Sequence, residues 1–232
     1  MKLHTREWGS GERTAVLVHG IMSDSRTWHR VAPRIAEFGY RVVAVDLRGH
    51  GQSPRGSYSP RTWADDLVDT LPPEPDLAIG HSLGAVALAL AADRLRPARA
   101  VYSDPAWMTV HADPPFDLSM LAGFKEATRE QIVAVNPRWD PSDVEVELAT
   151  LPLWDTATVD GAILIAAADS VPDHPPVPSL AQLASDSLAH FRPAAVEEMR
   201  ERGLEVRVVP GVGHCIHRDD PDAFLSSLDG WL

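Results

Sequence analysis

The chain of 232 residues has a mass of 25.3 kDa, and its 44% hydrophobic and 23% charged residues exclude an intrinsically disordered protein. Its 33 acidic and 21 basic side chains give a net charge of −12, so we expect neither nucleic acid nor an anionic membrane surface as a partner. The single cysteine, Cys215, excludes an internal disulfide and a cysteine-built zinc site. Residues 1–7 lack the apolar core of a signal peptide, and no run of residues matches a membrane span, so the sequence predicts a cytoplasmic protein.

Short apolar runs alternate with amphipathic runs along the chain. The apolar runs predict buried strands at residues 14–18, 41–45, 77–79, 100–102, 162–166 and 205–209, and a first strand is expected near residues 3–8. The runs between them predict helices over residues 25–38, 59–71, 83–95, 179–202 and 220–228. Continuous apolar strands joined by helices are typical of an α/β fold with a mainly parallel sheet.

The segment from Ala106 to Thr158 interrupts this alternation. It is rich in proline and in large apolar side chains, and it contains Trp107, Trp139 and Trp154. The composition predicts helices and loops inserted between two strands. Two interpretations of the tryptophans remain open, because such side chains either pack against one another or line a substrate pocket.

The strongest chemical signal is the segment Gly80–Gly84, which reads Gly-His-Ser-Leu-Gly between an apolar strand and an alanine-rich helix. This context is typical of a nucleophile elbow, a tight turn that lifts a serine hydroxyl above the edge of a sheet. The turn leaves room only for small flanking residues, and the start of the following helix favours negative charge beside the serine. An ordinary glycine-rich turn with an incidental serine is the alternative, and we interpret Ser82 as a nucleophile.

A serine hydroxyl is a weak nucleophile at neutral pH, so Ser82 needs a base. His214 follows an apolar strand and a Gly-Val-Gly run, which predicts a loop at the carboxyl end of the sheet, where the sites of parallel sheets form. His217 stands three residues later, but no third metal ligand accompanies the pair, and we interpret it as structural or solvated. We interpret Cys215 as a packing residue, because a lone cysteine is more often a small buried side chain than a nucleophile.

Two aspartates compete to orient the base. Asp169 follows the apolar run at 162–168, and Asp104 follows the shorter run at 100–103, so both are predicted at the carboxyl ends of strands. The predicted strand before Asp169 comes immediately before the strand that leads to His214, so their loops should be neighbours. We therefore favour Asp169 as the acid and keep Asp104 as the second candidate.

A fourth element follows the strand at 14–18 and reads His19-Gly20-Ile21-Met22. Acyl transfer needs two backbone amides aimed at the oxyanion that develops on the substrate. The amide of Leu83 supplies one of them, and the amide of Ile21 is the natural second, with Met22 as the alternative. These two amides are the predicted oxyanion hole.

Taken together in this order, these elements resemble the α/β-hydrolase superfamily over nearly the whole chain. The residues that carry the resemblance are His19-Gly20, Asp46-Leu47-Arg48-Gly49-His50-Gly51-Gln52-Ser53, Gly80-His81-Ser82-Leu83-Gly84, Asp169 and Gly213-His214. Within the second of these segments, Arg48 is expected to anchor a loop rather than to contact substrate.

The resemblance implies a mainly parallel sheet of about seven to eight strands flanked by helices. It implies one domain over residues 1–232 with a short helical cap at about 106–158. Only about a dozen residues lie between the first strand and His19, which leaves little room for the hairpin strand that is usual at this point in the family.

The implied reaction is two-step acyl transfer on a small to medium hydrophobic molecule, by Ser82, His214 and Asp169, with no metal or organic cofactor. A serine at the elbow is similar to esterases, lactonases, thioesterases, cofactor-free perhydrolases and carbon–carbon bond hydrolases, and it argues against the family members that carry aspartate there. We predict a carboxylic ester hydrolase, with carbon–carbon bond cleavage by the same residues as the alternative. A weakly catalytic binding protein on the same fold is the alternative outside the enzymes, and the oligomeric state is open.

Overall fold

The computed structural model describes residues 1–107, 117–164, 172–188 and 194–232. These residues contain one sheet, whose strands are β1 (Thr5–Trp8), β2 (Arg13–Val18), β3 (Tyr40–Val45), β4 (Leu77–His81), β5 (Ala100–Ser103), β6 (Ser179–Ala184) and β7 (Glu205–Val209). The spatial order is β1-β3-β2-β4-β5-β6-β7, in which β1 pairs antiparallel with β3 and every other neighbouring pair is parallel. The predicted α/β fold with a mainly parallel sheet is confirmed.

Helices flank the sheet. The α-helices are α1 (Ala32–Glu37), α2 (Pro60–Thr70), α3 (Leu83–Leu95), α4 (Arg129–Val135), α5 (Pro141–Thr150), α6 (Thr158–Ile163), α7 (Ser185–Leu188), α8 (Ala194–Glu201), α9 (Ile216–Asp219) and α10 (Pro221–Ser226). Short 3-10 helices cover Ser25–Trp28, Leu118–Glu126 and Leu151–Leu153. Within the described part of the chain, no helix is both long enough and apolar enough to cross a bilayer.

The central strands are buried on both faces, which explains their continuous apolar character. Neighbouring residues of β2 point to opposite faces: Val16 packs in one apolar cluster with Leu88 of α3, whereas Leu17 packs in a second cluster with Phe224 of α10. Because β2, β4, β5, β6 and β7 run in the same direction, the loops that follow them meet at one edge of the sheet.

The sequence prediction was wrong at the sixth strand. Helix α6 runs to Ile163, so the predicted strand at 162–166 begins as a helix, and its last two residues lie outside the described part of the chain. The strand lies instead at 179–184, where a helix was predicted. Short buried apolar runs do not separate helix from strand by periodicity, and Ser179–Ala184 contains no β-branched or aromatic residue that would favour a strand.

The predicted insertion is helical where the structure describes it, from the 3-10 helix at Leu118–Glu126 to the start of α6. Its tryptophans divide between the two interpretations. Trp107 packs against Tyr102 of β5, and the indole of Trp154 donates a hydrogen bond to Thr158. Trp139, in contrast, lines the cavity described below.

Candidate active site

Ser82 stands between β4 and α3 in a backbone conformation that serine rarely adopts. Its φ is 53° and its ψ is −115°, and such strain persists only where the surroundings impose it. A Cβ at Gly80 would lie 2.6 Å from the carbonyl oxygen of Gly84, and a Cβ at Gly84 would lie 2.4 Å from the carbonyl oxygen of His19. The two glycines therefore permit a turn too tight for any side chain, as the motif predicts.

His214 lies on the loop between β7 and α9, and its imidazole is about half exposed. Its Nδ1 lies 2.7 Å from the Oδ2 of Asp104. A carboxylate can only accept a hydrogen bond, so the proton sits on Nδ1 and the lone pair of Nε2 is left free to act as a base. Ser82, His214 and Asp104 line the same cavity.

Asp104 directly follows β5 with a φ of 39° and is 3% exposed. Besides His214, its carboxylate accepts a hydrogen bond from the hydroxyl of Ser187 at 2.6 Å and from the backbone amide of Ala184 at 2.9 Å. Three donors converge on one buried carboxylate, so its position beside the imidazole of His214 is fixed.

Asp169, the aspartate that the sequence favoured, lies outside the described residues. The reason for favouring it was wrong, because the run before it begins as helix α6 rather than as a strand. The true neighbour of β7 is β6, and β5 lies on the other side of β6. The loops after β5 and β7 are therefore one strand apart, and the side chains of Asp104 and His214 span that distance.

The loop after β2 lies beside the elbow. A Cβ at Gly20 would be 2.9 Å from Nδ1 of His81 and 3.1 Å from Cβ of Ser82, so the backbone of this loop approaches Ser82 closely. Ile21 and Leu83 both line the cavity with Ser82. Within the part of the chain that the structure describes, the amides of Ile21 and Leu83 have no hydrogen-bond acceptor. With respect to the described residues, both amides are thus available to a ligand oxygen.

Three other predicted residues have clear structural surroundings. Arg48 forms a two-pronged ion pair with the buried Asp66 of α2, with both N···O distances at 2.7 Å, so it anchors its loop as predicted. His217 is buried and stacks on Trp28 at 4.3 Å between ring centroids. Burial raises the pKa of the Cys215 thiol, which opposes its ionisation to a nucleophilic thiolate.

The cavity beside Ser82 has a volume of about 580 Å³ and a mostly apolar wall. The apolar wall comes chiefly from the inserted segment and includes Leu118, Met120, Leu121, Phe124, Ile132, Val135 and Trp139. This volume lies in the range of sites for small molecules.

Comparison with known proteins identifies the family. Residues 15–227 match the profile of a family described as Alpha/beta hydrolase family. This chain belongs to that family. The match runs from β2 to the end of α10, so the alpha/beta hydrolase fold accounts for nearly all of the sheet and for the loops that carry Ser82, Asp104 and His214.

Individual relatives of this alpha/beta hydrolase have several described activities. It is 36% identical over 115 residues to lipase LipV of Mycobacterium tuberculosis, which is 45% of this chain and 42% of the lipase. It is 32% identical over 133 residues to a pimeloyl-[acyl-carrier protein] methyl ester esterase of Aeromonas hydrophila, which is 54% of this chain and 51% of the esterase. The chain thus spans about half or less of the length of these curated relatives. The solved structure of an N-formylmaleamic acid deformylase from Pseudomonas putida superposes with a TM-score of 0.75 over 97% of this chain and 95% of that one, at 22% identity, which shows a shared fold.

One charged cluster of this alpha/beta hydrolase adjoins the apolar wall. The guanidinium carbon of Arg218 lies 3.5 Å from the centroid of the Trp139 ring, and Nη1 of Arg218 lies 2.7 Å from Oε2 of Glu147. Arg218 and Glu147 are both buried, and Arg218 also donates to the backbone carbonyl of Asp143. The positive charge on the wall is therefore matched by a carboxylate before any ligand binds.

Proposed function

We propose that this alpha/beta hydrolase is a carboxylic ester hydrolase in which Ser82 is the nucleophile, His214 the base and Asp104 the orienting acid. One observation carries the proposal: the 2.7 Å contact between His214 and Asp104 fixes the tautomer that a base needs, in the cavity that holds the strained Ser82. Asp104 takes the role that the sequence assigned to Asp169.

In the proposed reaction, the hydroxyl oxygen of Ser82 attacks the ester carbonyl carbon while Nε2 of His214 takes the hydroxyl proton. The imidazolium returns that proton to the leaving alkoxide, and an acyl-serine remains. A water molecule, deprotonated by the same nitrogen, then attacks the acyl carbon. The bond from the acyl carbon to the Ser82 oxygen breaks, His214 returns the proton to that oxygen, and the carboxylic acid is released. The backbone amides of Ile21 and Leu83 donate to the oxyanion in both steps, which is why it matters that neither has another acceptor among the described residues.

The wall of the cavity supports a small to medium hydrophobic substrate. The segment at about 106–158 acts as a cap in this proposal, because the apolar side chains of its described residues that line the cavity exclude water and pack against the substrate. A thioester or lactone would use the same steps. Two of the curated relatives are named as a lipase and a methyl ester esterase, which supports ester cleavage for this chain. The chain needs no metal or organic cofactor for this chemistry, and we propose the whole chain, residues 1–232, as one catalytic domain.

The test is turnover of 4-nitrophenyl acetate, butyrate and octanoate by the protein and by Ser82→Ala. We expect Ser82→Ala to lose at least about 10³-fold in kcat and to lose labelling by a fluorophosphonate probe. Ser57→Ala is the matched control, since Ser57 is exposed and does not line the cavity. A folded Ser82→Ala protein that keeps its activity would refute the mechanism. Activity on a vinylogous diketone with none on the esters would favour the carbon–carbon alternative.

A further inference from the structure

His81, the residue before the nucleophile, contacts the loop that carries the base. Its Nε2 lies 2.9 Å from the backbone carbonyl oxygen of His214. A carbonyl oxygen can only accept, so Nε2 of His81 carries the proton and donates it. His81 is 5% exposed, so this hydrogen bond is partly shielded from competing water. One side chain therefore ties the elbow directly to the backbone of His214.

The opposite side of the same ring faces the loop after β2. A Cβ at Gly20 would lie 2.9 Å from Nδ1 of His81, so the imidazole occupies the space that a side chain at position 20 would need. The ring centroids of His81 and His214 are 4.7 Å apart, and those of His81 and His217 are 4.9 Å apart. His81 is thus packed between the loop after β2, which carries Gly20, and the loop between β7 and α9, which carries His214.

We propose that His81 is a positioning residue, whose Nε2–H holds the carbonyl of His214 and thereby fixes the base relative to Ser82. This inference rests on the proposed function. The imidazole of His214 is about half exposed, so surrounding side chains hold it only on one side. Asp104 holds the ring of His214, and the hydrogen bond from His81 holds its backbone carbonyl. Small errors in the position of a catalytic group cost large factors in rate, so a fixed backbone at His214 has a direct effect on kcat.

The neutral state of His81 suits this role. Burial, followed by the neighbouring His214, lowers the pKa of His81 well below its usual value. A neutral donor holds the carbonyl without placing a positive charge 4.7 Å from a ring that itself becomes positive during the reaction. A lysine or arginine at position 81 would offer the donor together with an opposing charge.

Three variants separate positioning from packing. His81→Phe keeps an aromatic ring and removes the donor, and we expect kcat on 4-nitrophenyl butyrate to fall about 10- to 100-fold with KM changed less than about threefold. His81→Gln keeps an N–H at nearly the reach of Nε2, and we expect its kcat to recover to within about fivefold of the original protein. His217→Phe is the matched control, because it changes a neighbouring buried histidine whose ring nitrogens have no hydrogen-bond partner among the described residues. We expect its kcat to change less than about threefold.

A second measurement needs no substitution at position 81. In a two-bond ¹H–¹⁵N spectrum of the unmodified protein near pH 7, we expect the His81 ring to be neutral with its proton on Nε2. A proton on Nδ1 would overturn the proposal, and so would a folded His81→Phe protein with unchanged kcat. Equal losses of kcat in the Phe and Gln variants would also overturn it, since the donor would then be irrelevant. The kcat values of these variants count only the ester turnover that Ser82→Ala abolishes. If the unmodified protein shows no ester turnover at all, that result contradicts the proposed function and not the role of His81.

Discussion

Replacing Asp104 with asparagine tests the proposed acid with almost no change in shape. In the structure, Oδ1 of Asp104 accepts from the amide of Ala184, while Oδ2 accepts from both the hydroxyl of Ser187 and Nδ1 of His214. An asparagine keeps one acceptor oxygen and presents an NH₂ group at the other position. If the oxygen stays with Ala184, the NH₂ group faces His214.

That NH₂ group can only donate, so His214 must turn its lone pair toward it and carry its proton on Nε2 instead. The histidine then presents a proton, rather than a lone pair, to Ser82 and cannot act as a base. The comparable change in another serine enzyme lowers kcat by about 10⁴-fold, so we expect about 10³- to 10⁴-fold here, or about 4–5.5 kcal/mol of transition-state stabilisation. If the asparagine flips, its NH₂ group faces the amide of Ala184, which then has no acceptor. In that case we expect the free energy of unfolding to fall by about 1–3 kcal/mol.

The assay compares kcat on 4-nitrophenyl butyrate for Asp104→Asn and Asp169→Asn, with urea unfolding of both variants. Asp169→Asn is the matched control, because the sequence placed that aspartate in the same role. We expect it to keep kcat within about threefold. An inactive Asp169→Asn protein beside an active Asp104→Asn protein would show that the proposed acid is wrong, while the roles of Ser82 and His214 would stand.

Two further predictions concern the pocket and the response to acid. Trp139→Leu should raise kcat/KM for the octanoyl ester relative to the acetyl ester by about fourfold for each methylene that enters the enlarged pocket. Trp154 does not line the cavity, so Trp154→Phe should change kcat/KM for both esters in parallel. An unchanged ratio in Trp139→Leu would show that Trp139 has no part in substrate selection. Burial lowers the pKa of His50, His81 and His217 well below 6.5, so below that pH the unfolded chain binds protons that the folded chain does not, and the free energy of unfolding falls as the pH falls. From pH 7 to pH 5.5 the three histidines together should cost up to about 4 kcal/mol, and a urea midpoint that does not fall over this interval would contradict the assignment.

The residues whose roles depend on local chemistry were predictable from the sequence. The glycines around Ser82 indicate a turn that only small residues permit, and the structure shows that turn with a positive φ at the serine. The position of His214 after an apolar strand indicated its place at the carboxyl edge of the sheet. In each case a few neighbouring residues determine the conformation, so a single sequence contains the signal.

The partner of His214 was not predictable in the same way. The partner depends on which strand lies beside β7. That strand is β6 at 179–184, a short run without β-branched residues that the sequence does not distinguish from a helix. The buried Gln182 within that strand accepts a hydrogen bond from the hydroxyl of Ser103 at 2.7 Å, which is a contact between neighbouring strands that no local pattern reveals. The contact of His81 was not predictable for a related reason, since its hydrogen bond joins residues 133 positions apart.

The contact between Arg218 and Trp139 couples the shape of the cavity wall to the packing of the helix that follows His214. Arg218 belongs to α9, whose first turn hydrogen-bonds back to Cys215, the residue immediately after His214. A substitution of Trp139 by a smaller side chain removes the aromatic face on which Arg218 rests, and we expect it to loosen α9, the helix that follows the proposed base His214. If the proposed ester hydrolysis holds, changes in acyl-chain preference and changes in kcat will therefore not combine additively, because neighbours in one network share their energetic effects. Under the proposed function, a lineage that acquires a longer-chain substrate through position 139 must also restore the packing of Arg218.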